Sequence, residues 1–299
     1  LEESIIIPVH RTRRKAKITA NMQKEAFELA KEYAIFFKNS KDSDLVLVAR
    51  VSKRIQENIM KISKELRRES GIEEDSPIDY LHTFKLMEHL GINVIFRYFP
   101  DTIKSYAFYT KIHNHRVVFV NNSTNVLDLI FPLLHESVHA IRDEIGVPGE
   151  YDQEEENFCD QVANHVQFPD EYVKFVYKTI SGLSPGTQVN KLKTFGEKYG
   201  HALYGIVLRI QSMFPDFSLK VGGADANLRK KFPTIGNVLF SKEDPREYIE
   251  KVSTLSPNFV EKILAQLDGI SYRKLAELLG LESVLDAKTV KQELTKLKK

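Results

Sequence analysis

The stretch from Ile92 to Asn122 sets the strongest limit on the fold. Its apolar residues come in short β-branched and aromatic runs, INVIFRYF, SYAFYTKI and HRVVFVNN, separated by Pro100-Asp101 and by the turn HNH. Runs this short, bounded by turn formers, predict the strands of a small antiparallel sheet, with His113 and His115 beside a hairpin turn and solvated there. Elsewhere the apolar spacing is helical. Residues 21–38, rich in Ala, Glu, Lys and Leu, read as a helix, and Val51, Ile55, Ile59, Ile62 and Leu66 form one apolar stripe over 51–69. A helix is expected from Pro77 to Gly91, with Ser76 as its cap and Asp79 near its positive end. Another is expected over 125–144, with Leu127, Phe131, Leu134, Val138 and Ile141 facing the core and a bend or late start at Pro132. DQEEENFCDQVANHVQ continues as helix to Pro169. Beyond it come further helices, broken at SGLSPGT, FPDF and VGGADAN.

Composition narrows the classes. A chain of 299 residues buries at least one good core, and a net charge of +2 argues against a wholesale nucleic-acid coat. The single cysteine, Cys159, excludes an intramolecular disulfide and suits a reducing, cytoplasmic setting. No run of about 18 uncharged apolar residues occurs, so neither a bilayer span nor a membrane partner is expected. The opening LEESIIIPVHRTRRKAK lacks an initiator Met and the order of a secretory signal, and reads as the linker of a longer protein.

Within the helix over 125–144, LLHESVHA places His135 and His139 four residues apart. That spacing stacks both imidazoles on one face, one turn apart, where they can converge on an ion. Glu136 lies roughly 100° further round the helix, placed to reach a water rather than the ion. Zinc suits such a set because it takes nitrogen and carboxylate ligands and keeps an open position for water. A neighbouring carboxylate can then take the water's proton as it attacks a carbonyl. The bland alternative is a helix whose histidines are merely hydrogen-bonded on a partly buried flank. A third protein ligand is needed, and Asp152, Glu154, Glu155, Glu156 and Asp160 all lie within reach downstream. Glu156 and Asp160 share a helical face, so one can bind metal while the other orients an imidazole N–H. His165 falls on the opposite side from Glu156 and is not used.

These motifs together resemble the ImmA/IrrE family of metallopeptidases. LMEHLGINVIF followed by HRVVFVNN matches the helix and short sheet that precede the family's zinc helix. ENFCDQVANHVQFP matches its later pattern, with Glu156 thirteen residues before Pro169 and Cys159, Ala163 and Phe168 at corresponding positions. TFGEKYGHALYGIVLRI, ending in Arg209-Ile210, is similar to a further helical segment. The match covers residues 77–210. The chain departs from the pattern at Asp160, where Asn is usual, at Gln167, where an apolar residue is usual, and in lacking Val-Ser after its FG.

The resemblance implies Glu156 as third ligand beside His135 and His139, with Glu136 as general base and Asp160 orienting. It implies a metalloprotease, a hydrolase that uses Zn2+ or another divalent metal such as Mn2+. The implied role is cleavage of a helix-turn-helix repressor in bacterial or phage gene regulation. The expected fold is α+β and mostly helical: a zincin-like minimal metalloprotease core with a small three-stranded antiparallel sheet, plus helical N- and C-terminal extensions. The expected divisions are 1–75, a helical linker region following a lost helix-turn-helix; 76–215, the peptidase-like domain; and 216–299, a helical accessory domain.

Tyr151, His201 and Arg209 are candidates for stabilising a developing oxyanion, each with a structural reading beside it. A different class of function is a metal-braced transcriptional regulator without catalysis. ISYRKLAELLGL and DAKTVKQELTKL loosely resemble a helix-turn-helix, although Leu275, Leu278, Leu279 and Leu281 also suit a core. Arg11, Arg13, Arg14, Lys15 and Lys17 offer phosphate contacts or form a solvated linker. A small-molecule metallohydrolase would differ from the peptidase only in substrate.

Overall fold

The computed structural model describes residues 5–6, 19–38, 40, 49, 51, 53–142, 152–241 and 243–298. In chain order the elements are β1 (Ile5–Ile6), α1 (Ala20–Phe37), α2 (Gln56–Ser70), α3 (Tyr80–His89), β2 (Asn93–Arg97), β3 (Ala107–Ile112), β4 (His115–Asn121), α4 (Val126–Arg142) and α5 (Gln153–Gln167). They continue as α6 (Asp170–Ile180), α7 (Pro185–Tyr199), α8 (Leu203–Met213), α9 (Gly222–Arg229), α10 (Ile235–Leu239), α11 (Pro245–Leu255), α12 (Pro257–Gln266), α13 (Tyr272–Leu279) and α14 (Val284–Leu297). The class is α+β and mostly helical, as the periodicities predict.

The sheet differs from the expected one. It has four strands rather than three, in the order β1-β3-β4-β2, and it is mixed rather than antiparallel. β3 and β4 form the predicted antiparallel hairpin, β1 pairs antiparallel with β3, and β2 lies parallel to β4 with Asn93 opposite Val117. β2 and β3 flank β4 on opposite sides, so the chain crosses over between them and β4 returns in the direction of β2. Apolar runs carry no record of strand direction, and two residues beside Pro8 are too few to read as a strand. The hairpin turn uses positive φ at His113 (47°) and Asn114 (67°), the pair a tight two-residue hairpin requires. His115 is not solvated. It is buried in β4, with Nε2 3.0 Å from Ser40 Oγ and its ring against Phe37.

Two helices begin later than their stripes suggest, because tertiary partners claim the preceding backbone. Ala49 N–H donates to the Ile141 carbonyl, and Arg142 donates to the carbonyls of Ala49 and Val51, so α2 starts only at Gln56. Ile78 N–H donates to the Gln167 carbonyl, and Asp79 rather than Ser76 caps α3 by accepting from His82 N–H at 2.8 Å. α4 runs through Pro132 without interruption.

One large apolar core joins α1, α2, the sheet, α4 and α5 to α11–α14, and so draws on all three segments delimited in the sequence. Leu275, Leu278 and Leu279 belong to it. Tyr33 and Tyr248 donate to the carbonyls of Leu278 and Leu279, which fastens α13 to α1 and α11. A second core lies among α6–α9 and includes Leu127 of α4. Arg67, on α2, sets the end of α5: its guanidinium donates to the Val166 carbonyl at 2.7 Å and to the Ser76 carbonyl at 2.7 Å. Among the described residues no helix is long and apolar enough to cross a membrane.

Candidate metal centre

α4 is amphipathic in an unusual sense, since both of its chemically distinct faces are buried. One carries His135 and His139 against α5; the other presents Glu136 to β3. His135, Glu136 and His139 are only 7%, 5% and 8% exposed, and Glu156 is 2% exposed. Four ionisable groups this deep are costly unless they are paired or hold an ion.

Their geometry is convergent. Nε2 of His135 and Nε2 of His139 stand 3.0 Å apart. Glu156 brings Oε1 to 3.2 Å from His139 Nε2 and Oε2 to 3.4 Å from His135 Nε2. Donors held at about 2.0–2.1 Å around one tetrahedral ion are spaced roughly 3.3 Å apart. The three observed spans bracket that value. His135, His139 and Glu156 thus form a group able to hold a metal, and Glu136 stands outside it. Asp160 Oδ1 lies 2.9 Å from His135 Nδ1, on the far side of the ring, where it fixes the tautomer that leaves Nε2 facing the centre. Glu156 and Asp160, equivalent on helical geometry alone, differ in placement: Glu156 points towards both Nε2 atoms and Asp160 towards His135 Nδ1.

Electrostatics agree with the donor chemistry. Burial alone would push the His135 pKa down. The hydrogen bonds to Asp160 and Glu156 and the charges of Glu136 and Glu156 outweigh it and hold the value up at about 10. An anionic cage that grips a proton this firmly also favours a cation in its place. Cys159 behaves oppositely: burial and the charges of Glu155 and Glu156 push its thiol well above the ordinary range, so it remains S–H.

Glu136 Oε2 accepts from Tyr109 N–H of β3 at 3.1 Å. The hairpin therefore anchors the carboxylate next to, but outside, the ligand group. On the other side of His139 lies a feature that sequence reasoning did not single out. Arg142 binds Glu155 with both Nε and Nη2, and Arg54 Nε binds the same carboxylate at 2.9 Å. Arg54 also reaches Asp152 and Glu154 at the start of α5. The acidic run is visible in the sequence, but Arg54 lies far upstream and nothing local ties it to α5.

The remaining candidates fall elsewhere. Tyr151 and the basic group Arg11, Arg13, Arg14, Lys15 and Lys17 lie outside the described residues. His165 bonds to the Gln161 carbonyl on the outer side of α5. Arg209 pairs with Asp170, and His201 packs in the second core against Phe168 and Tyr172. Tyr172 O–H donates to His201 Nε2 at 2.6 Å and His201 Nδ1–H donates to the Ala202 carbonyl, which suits a neutral ring. Burial pushes its pKa down to about 4. Below about 6.5 the unfolded chain takes up a proton that the folded chain refuses. The stability His201 contributes is complete above that pH and falls as pH drops towards 4, by on the order of 3 kcal/mol. Urea titrations at pH 7 and pH 4.5 should show this loss, and His201→Gln should remove that component.

The chain matches no protein-family model and no curated protein.

Proposed function

We propose that this chain is a zinc-dependent endopeptidase of the ImmA/IrrE type, working in the cytoplasm on a protein substrate, a helix-turn-helix repressor. The observation that carries the reading is the set of three donor spans, 3.0, 3.2 and 3.4 Å, among His135, His139 and Glu156. Nitrogen donors in two of three places favour zinc, with Mn2+ as an alternative ion. Bound by the triad, zinc would act as a Lewis acid that makes water acidic and polarises a carbonyl.

The residues around it have separable tasks. Glu136 is the base: fixed by Tyr109 N–H and kept off the ligand group, its carboxylate takes a proton from water and returns it to the departing amine. Asp160 keeps the proton of His135 on Nδ1. Among the described residues the group offers three protein ligands rather than four, which would leave a coordination position for water, the arrangement of a catalytic rather than a purely structural zinc site. The depth of the ligands favours the second reading, a metal-braced regulator without catalysis, and Glu136 separates the two. The test is incubation of the zinc-loaded protein with helix-turn-helix repressors, beside Glu136→Gln. Cleavage by the wild type alone supports the peptidase. Zinc binding with equal behaviour of both proteins supports the brace.

A further inference from the structure

His135 and His139 need the same support, a partner for Nδ1 that leaves Nε2 free to bind. They obtain it differently. The partner of His135 is a carboxylate, with Asp160 Oδ1 at 2.9 Å. The partner of His139 is sulfur: Cys159 Sγ lies 3.7 Å from His139 Nδ1 and also 3.7 Å from Glu155 Oε1, to which the thiol donates. Glu155 is in turn gripped by Arg142, itself buried, and by Arg54.

His139, Glu155 and Cys159 also form a group with metal-ligand chemistry, so two readings compete. A second cation there would share the His139 ring with the first. It would also face two guanidinium groups already bound to Glu155, whose Oε2 takes Arg54 Nε at 2.9 Å and Arg142 Nη2 at 3.0 Å. A dication beside two fixed positive charges in a buried pocket is strongly disfavoured. The arrangement is therefore a relay of hydrogen bonds.

We propose that Cys159, held by Glu155 and its two arginines, is a positioning residue for His139: its sulfur accepts the Nδ1–H proton and so keeps Nε2 turned into the metal group. The proposal rests on the reading of His135, His139 and Glu156 as metal ligands. In the direction of donation, His139 gives to sulfur, the thiol gives to Glu155, and the arginines close the chain. Sulfur is a weaker acceptor than the carboxylate serving His135, so His139 is the less firmly held of the two imidazoles.

The experiment compares wild type, Cys159→Val and Cys159→Ser as full chains. It reads zinc affinity by chelator competition, metal-free thermal melting, and the NMR signal of the His139 Nδ1–H proton in the zinc-loaded protein. Valine, about one methyl group larger, removes the polar atom, so it should lower zinc affinity roughly 10–100-fold. It should also shift the Nδ1–H line while leaving metal-free melting close to wild type. Serine, which keeps the order of donor and acceptor, should recover most of the affinity. Unchanged affinity and an unchanged Nδ1–H line in Cys159→Val would overturn the proposal while leaving the metal site standing. So would two zinc ions per wild-type chain. If the valine variant does not fold, an Nδ1–H line in Cys159→Ser identical to wild type overturns it equally. A wild type that binds no zinc removes the underlying metal reading and this proposal together.

Discussion

Glu136→Gln should bind as much zinc as the wild type and lose roughly 10²–10⁴-fold in hydrolytic rate, the usual contribution of a positioned general base. The two results are separable because the carboxylate lies outside the candidate ligand group. The carboxylate is held by the backbone of β3, through Tyr109 N–H at 3.1 Å. Glutamine keeps the volume and its carbonyl can accept the same bond, so α4 and the hairpin should keep their places. What disappears is the charge that takes a proton. Metal content by mass spectrometry and rate on a cleaved repressor measure the two halves independently. Full activity in Glu136→Gln would remove the assigned base and with it the mechanism.

Arg142→Ala should cost about 3–5 kcal/mol of folding stability, the penalty for breaking a buried ion pair from one side. Arg142 is 1% exposed and holds together the Glu155 carboxylate, the carbonyls of Ala49 and Val51, and the face of Phe158 at 4.6 Å. Alanine leaves the buried Glu155 charged, with Arg54, on a more exposed side, as its remaining cation among the described residues. Lysine should not rescue it, since a single ammonium cannot reproduce the forked donation. Lys231–Glu197 is the contrast. With 56% and 40% of these side chains exposed, removing that pair should cost less than about 1 kcal/mol. Urea denaturation of both variants checks the ranking, and near-equal losses would contradict it.

The helices and the ligand spacing were legible because each is written locally. Steps of three and four announce α2 and α4, and His135 and His139 share a face wherever a helix forms. The hairpin was equally local, since HNH between two β-branched runs can do little else. What escaped depends on partners distant in sequence. The parallel pairing of β2 with β4, the late starts of α2 and α3, and the burial of His115 all follow from contacts that no window of neighbouring residues contains. Within the site, Glu156 and Asp160 were equivalent on the helical wheel. Only the packing of α5 on α4 turns one towards both Nε2 atoms and the other towards a single Nδ1. Arg54 shows the same limit, reaching Asp152, Glu154 and Glu155 across about a hundred residues of chain.

Every role proposed for this site requires that His135, His139 and Glu156 hold a metal ion. The direct measurement is metal per chain by mass spectrometry, wild type beside Glu156→Ala, both reconstituted with zinc and desalted identically. The expected result is about one zinc ion in the wild type and a large loss in the variant, which keeps both histidines but loses the carboxylate within 3.4 Å of each. Equal zinc in the two proteins would move the third ligand away from Glu156, and no zinc in the reconstituted wild type would contradict the account at its centre.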